Sequence, residues 1–181
     1  MVEQCKPHKE QAVLMVGYQT VDIRHPDKLA FDVIDEACGD LGSRFFVRIR
    51  EELGLAYFVG SSQLEGLAPG AMIFYLGTDP AKLTAVRTAF EGEIATLAKD
   101  GLTPEEFQRA RKKLLGRQAI SMQSNANLGF HVSLDELYGR GHDHYLRLEA
   151  DLRVLTLDGV NRVAREFFFK RPNVVAIVKP A

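Results

Sequence analysis

Five histidines and one arginine–tyrosine pair are the residues of this chain whose types and spacing could do chemistry. Hydrolysis assisted by a metal needs three ligands and a general base, usually two histidines at helical spacing with a carboxylate beside them. His8, His25, His131, His142 and His144 assemble no H-x-x-E-H or H-E-x-x-H pattern. The nearest approach is "GHDHY" at 141–145, an alternating pair without a third ligand, which reads as the polar entrance to a helix. The other constellation lies in "RIREELGLAY". Arg50 ends an amphipathic segment, Gly54 breaks it, and Tyr57 opens a run of strand-forming residues. Seven positions with a glycine among them separate the pair, too far for one helix face but close enough for both polar tips to converge. From spacing alone, Tyr57 reads as a strand-face core aromatic and Arg50 as a helix-border cation either paired with Glu51 or Glu52 or solvated.

Other chemistries find less support. "GDLG" and "GLAPG" lack the lysine and hydroxyl residue of a phosphate loop. Ser43, Ser61, Ser62 and Cys38 sit in no nucleophile-elbow context. Cys5 and Cys38 form no disulfide framework; Cys38 reads as a small core residue, and this usage leans toward a reducing compartment such as the cytoplasm without deciding it. The 23 Lys and Arg are dispersed among 24 Asp and Glu, so no basic stripe offers itself to a nucleic acid. No run of about 18 apolar residues predicts a membrane span, and the first residues have no signal-peptide character.

The elements that would hold the pair follow from periodicity. A chain of 181 residues, 46% hydrophobic, fits one domain over residues 1–181. Residues 1–10 read as a polar leader. "AVLMVGY" predicts a strand buried on both faces. Leu29, Val33, Ile34, Ala37, Cys38 and Leu41 predict a first helix stopped by "CGDLG", and Phe45, Phe46, Ile49 and Leu53 a second from about Ser43 to Leu53, with Arg50 on its border and Arg48 solvated against Glu52. Strands over 55–64 and 71–78 flank the turn "EGLAPG" as a hairpin. Leu83, Val86, Phe90, Ile94 and Leu97 predict a helix ended by Gly101. Thr103, Pro104 and Glu106 make a capping box for a long helix, which fades near "SMQSNANLG". Two further helical patterns and the strand "NVVAIV" close the chain. This order predicts an α+β, split βαβ two-layer sandwich: a four-stranded antiparallel sheet with helices on one face.

"GSRFFVRIREELGLAY" resembles the signature of the zinc-free C-terminal domain of M16 (pitrilysin-type, insulinase-like) zinc peptidases, which include the processing peptidases. "VGYQT" with "HPD", "GTDP" and "GLTPEEFQRARKKLLG" extend the likeness over essentially the whole chain. In place of the family's glycine-rich run, this chain has Asp40 and Leu41 between Gly39 and Gly42. The resemblance implies a two-layer fold of LuxS/MPP-like metallohydrolase type that occurs as homologous halves. One half carries zinc, and the other contributes an arginine and a tyrosine to a shared site. Those positions fall on Arg50 and Tyr57, with Tyr57 catalytic and both binding substrate.

The implied cofactor is therefore zinc in the partner half and none in this chain. The implied partners are a zinc-bearing M16 domain or subunit and a peptide substrate. An isolated half whose partner-facing surface is left uncovered could also pair as a homodimer. The alternative is a noncatalytic assembly subunit of the same fold.

Overall fold

Alternation of burial decides the sheet. In β2 (Ala12–Gln19) the residues Ala12, Leu14, Val16 and Tyr18 are buried, whereas Met15 and Gln19 are exposed. β4 (Ala71–Thr78) repeats the pattern with Met72, Phe74 and Leu76 inward. β5 (Asn173–Pro180) does so with Val175 and Ile177, while Val174 faces out. The apolar run of β2 predicted burial on both faces. Only one face is covered, because the buried side chains of the helical layer join those of a single strand face in one core.

The computed structural model describes residues 1–7 and 9–181; His8 lies outside the described residues. The sheet has five strands in the order β1-β5-β2-β4-β3. β3 (Phe58–Leu64), β4, β2 and β5 pair antiparallel, as the four predicted strands should. The fifth, β1 (Val2–Lys6), lies parallel to β5, so the sheet is mixed rather than wholly antiparallel. Its five residues, in the segment read as a polar leader, are all exposed. Backbone pairing with β5 holds this edge strand without any side-chain pattern for a sequence reading to find.

The helical layer contains α1 (Lys28–Cys38), α2 (Leu83–Asp100), α3 (Pro104–Ser121), α4 (Asn125–Leu137), α5 (Leu148–Val154) and α6 (Leu157–Ala164). In α2 the stripe Val86, Phe90, Ile94 and Leu97 is buried as its spacing predicts. Cys38 ends α1 within the core, where burial pushes its thiol pKa well up. α4 was not legible as a separate helix. Only Asp135 of it is buried, while Phe130 and Leu137 remain exposed, so no core-facing stripe marks it. Among the described residues no helix is long and apolar enough to cross a membrane.

The predicted second helix changes character. Residues 44–45 are α-helical, and Phe46–Glu52 continue as a π-helix, with the Leu53 amide bonded to the Arg48 carbonyl at 3.2 Å. The wider turn spoils the predicted stripe: Phe45 and Ile49 are fully buried, Phe46 is half-buried and Leu53 is exposed. Phe45 anchors the segment between sheet and α2, with ring centroids 5.4 Å from Phe74 and 5.6 Å from Phe90. Burying such a ring contributes about 2 to 3 kcal/mol.

Arg44 secures the same segment to α3. Its guanidinium forms a two-pronged pair with Glu106, Nε to Oε1 at 2.8 Å, and donates to the Gly101 carbonyl at 2.9 Å. Glu106 also completes the capping box, accepting from the Thr103 amide at 2.8 Å while the Thr103 hydroxyl accepts from the Glu106 amide at 3.2 Å. Burial raises the Glu106 pKa, but the Arg44 fork and the Thr103 amide outweigh it and hold the carboxyl below its usual range. A carboxyl whose folded pKa is depressed adds stability above its unfolded pKa of about 4.3, and that stability is lost as pH falls through the lower folded value. Urea denaturation at pH 7 and pH 3 should therefore show a smaller acid-induced loss in Glu106→Gln than in the parent chain. Equal losses would mean that the pair leaves the carboxyl's ionisation unaltered between folded and unfolded chains.

Candidate functional site

Arg50 and Tyr57 lie at the two ends of a short, heavily tethered link. The Ser43 hydroxyl, fully buried, accepts from the Phe46 amide at 3.1 Å and starts the helical segment that carries Arg50. After the π-helix, Gly54 adopts φ +59°, a left-handed conformation that a glycine takes without a Cβ penalty. The chain then turns back on itself. The Leu55 amide donates to the Ile49 carbonyl at 3.0 Å, and the Tyr57 amide donates to the Gly77 carbonyl at 2.8 Å. The hairpin strand predicted from Leu55 therefore begins only at Phe58, because the backbone of Leu55 is committed to the helix end.

Neither member of the pair is a core residue. Tyr57 is 53% exposed, and Arg50 is also exposed with its guanidinium 4.8 Å above the Phe46 ring. Spacing alone read the tyrosine as a core aromatic, which its exposure corrects, and the arginine as paired with Glu51 or Glu52 or solvated, of which the solvated alternative holds. Among the described residues it is Arg48 that pairs with Glu52, at 2.6 Å, and no ion pair engages Arg50. The contact with Phe46 places the guanidinium over an aromatic face while leaving N–H donors for another molecule. The structure thus brings the two elements side by side, ties Leu55 to Ile49 between them, and leaves both polar groups accessible.

Gly77 matters to that arrangement through its missing side chain. A Cβ there would meet the Phe58 ring at 2.2 Å, so the ring that follows Tyr57 lies directly over this glycine on the open face of the sheet. The placement of Tyr57 is consequently set by β4 as well as by the turn before it.

A second polar constellation, which sequence reading did not single out, fills a cleft of about 1150 Å³ between α1, α3 and the α4–α5 arm. The face of α1 opposite its apolar stripe contributes Lys28, Asp32, Asp35 and Glu36. The signal was present as the i, i+4 pair Lys28 and Asp32. These groups are spent mostly on each other. Lys28 bridges Asp32 and Glu65, Glu36 is buried between Lys113 at 2.7 Å and Arg117 at 2.5 Å, and Arg140 pairs with the buried Asp135. Burial pushes the pKa of Asp35 up. Neither Arg50 nor Tyr57 lines this cleft.

The donor set does not suit a resident metal. Among the described residues no three His, Cys, Asp or Glu side chains gather to hold an ion. His142 lies on the surface 3.8 Å from Glu136, and His144 is held below its ordinary pKa by burial and then by the Arg140 guanidinium. His131 shares a long contact of 3.4 Å with the Ser121 hydroxyl, and the His25 ring accepts from the Asp27 amide at 3.0 Å.

Comparison with known proteins bears on this geometry. Residues 2–114 match the family described as the peptidase M16 inactive domain. The uncharacterized zinc protease YmxG of Bacillus subtilis is 27% identical over 97% of this chain, and the chain spans only 43% of that relative's length. The backbone superposes with TM-score 0.88 and 17% identity on a protease from Helicobacter pylori, covering 99% of this chain and 44% of that one. An inactive peptidase domain from Bordetella parapertussis gives TM-score 0.83 at 20% identity, over 94% of this chain and 93% of its own. At these identities the two structures establish the likeness of fold.

Proposed function

Because the chain belongs to the peptidase M16 inactive-domain family, we propose that it is the substrate-binding half of a two-part zinc peptidase, contributing Arg50 and Tyr57 to a site completed by a zinc-bearing homologous half. The observation that carries the reading is the exposure of a tyrosine and of an arginine that has no ion pair among the described residues, on adjoining elements whose backbones are tied together. The partner half would supply a metal-activated water for attack on a peptide carbonyl. The Tyr57 hydroxyl donates to the oxygen on which negative charge develops, and the Arg50 fork holds substrate carbonyls or a carboxylate. The single-domain reading of residues 1–181 and the LuxS/MPP-like type of the fold belong to the same proposal. Support comes from the length relation: a relative named a zinc protease is more than twice as long as the aligned chain.

The test mixes this chain with a zinc-bearing M16 half and follows cleavage of an unstructured peptide. The chain alone should leave the peptide intact, and the mixture should cut it. Arg50→Ala should raise KM about 10- to 100-fold, the loss expected when a charge-assisted hydrogen bond to substrate disappears. Tight association with the zinc half but no cleavage under any zinc supplementation would overturn the catalytic reading in favour of an assembly subunit.

A further inference from the structure

The inward residues of β4 are Met72, Phe74 and Leu76, and the fourth, Thr78, is polar although fully buried. An aliphatic side chain of the same shape would fill that position without a hydroxyl to satisfy, so the hydroxyl invites explanation. It donates to the carbonyl of Leu55 at 2.5 Å. Leu55 lies within the link between Arg50 and Tyr57, and its amide is already taken by the Ile49 carbonyl. Both backbone polar groups of one residue are therefore claimed from two directions, by the end of the helix that carries Arg50 and by the strand beside Tyr57.

We propose that Thr78 is a positioning residue for the Arg50 and Tyr57 pair, acting through the Leu55 carbonyl. The inference rests on the functional reading above and extends it to a residue that touches no substrate. The mechanical reason lies next door. Gly54, at φ +59° and with nothing within 4 Å of a Cβ built on it, is a pivot that packing does not restrain. Lys82 reaches the Gly54 carbonyl itself at 3.1 Å, but that bond lies at the surface, where water competes. On its C-terminal side the Thr78 hydroxyl is the buried tether. Without it the Leu55 carbonyl loses its partner, the link is held only by the Leu55 and Tyr57 amide bonds, and Tyr57 shifts from the alignment that a developing oxyanion requires.

The experiment measures kcat and KM of the two-half enzyme with Thr78→Val, Thr78→Ser and Tyr57→Phe, alone and with Thr78→Val combined with Tyr57→Phe, beside melting curves of the chain. Thr78→Val should lower kcat about 10- to 100-fold, as a displacement near 1 Å does in other sites. Thr78→Ser, which keeps the donor, should restore most of the loss. In the Tyr57→Phe background the effect of Thr78→Val should shrink, since the group being positioned is gone. Hydrogen exchange at the Leu55 and Tyr57 amides of the chain alone should quicken with Thr78→Val. If valine does not allow folding, Thr78→Cys carries the same comparison. A lowered Tm with unchanged kcat per folded molecule would reduce Thr78 to a structural residue and overturn the proposal, leaving the role of Tyr57 intact. Full activity of Tyr57→Phe would instead remove the functional reading, and this inference with it.

Discussion

Tyr57→Phe should lower kcat of the proposed two-half enzyme by about 10²- to 10³-fold and leave KM within a few-fold, the expected result of deleting one donor that acts on the transition state more than on the ground state. The substitution is clean because it removes a single oxygen from a ring that is 53% exposed. No cavity opens, and no buried group loses a partner. The ring keeps its backbone tether, the 2.8 Å bond from the Tyr57 amide to the Gly77 carbonyl, since that bond does not involve the side chain. Urea denaturation should accordingly show a change within about 0.5 kcal/mol, as at other surface positions. The contrast with Arg50→Ala, expected to act on KM, separates the two roles. A Tyr57→Phe enzyme with undiminished kcat would take the phenol out of the mechanism.

The largest expected loss of stability lies elsewhere, at Gly101. The residue closes α2 at φ +81° and ψ −161°, a region that glycine alone visits readily. A Cβ there would also lie 2.2 Å from Cγ of Asn161 and 2.3 Å from its Oδ1. That side chain cannot simply step aside. Buried between α2 and α6, it accepts from the Leu102 amide at 2.8 Å and donates to the Leu102 carbonyl at 3.2 Å. Gly101→Ala adds backbone strain of about 1 to 3 kcal/mol to the loss of hydrogen bonds costing a similar amount. The sum, about 2 to 6 kcal/mol, should lower Tm by about 5 to 20 °C in a chain of this size. Gly54→Ala is the natural comparison. Its φ is also positive, but no atom obstructs a Cβ, so the cost should be about 1 to 2 kcal/mol. Similar losses at the two positions would show that the Asn161 contact contributes little.

The elements with strong local rules were legible before any coordinates. The capping box of Thr103 and Glu106 needs only residues three apart, and it forms as read. The stripe of α2 and the hairpin around "EGLAPG" likewise follow from period and turn chemistry. β1 was not legible, since all five of its residues are exposed and its partner β5 begins about 170 residues later. α4 and the π-helix were missed for related reasons: one buries almost nothing, and the other differs from an α-helix by a hydrogen-bond register that composition does not encode.

The candidate site divides in the same way. Residue types and their likeness to a known signature were enough to single out Arg50 and Tyr57 and to exclude a metal motif in "GHDHY". The i,i+4 pair of Arg48 with Glu52 was also legible from spacing, whereas whether the phenol would be core or surface, that the Arg50 guanidinium would lie over the Phe46 ring, and that a threonine at the far end of β4 would tether Leu55 were settled only by the assembled fold. Periodicity, caps and turns depend on neighbours within one helical turn or one pleat, so the chain alone determines them. Exposure and long-range tethers depend on which distant segments arrive to cover a surface or claim a carbonyl, and that is decided when sheet and helices pack.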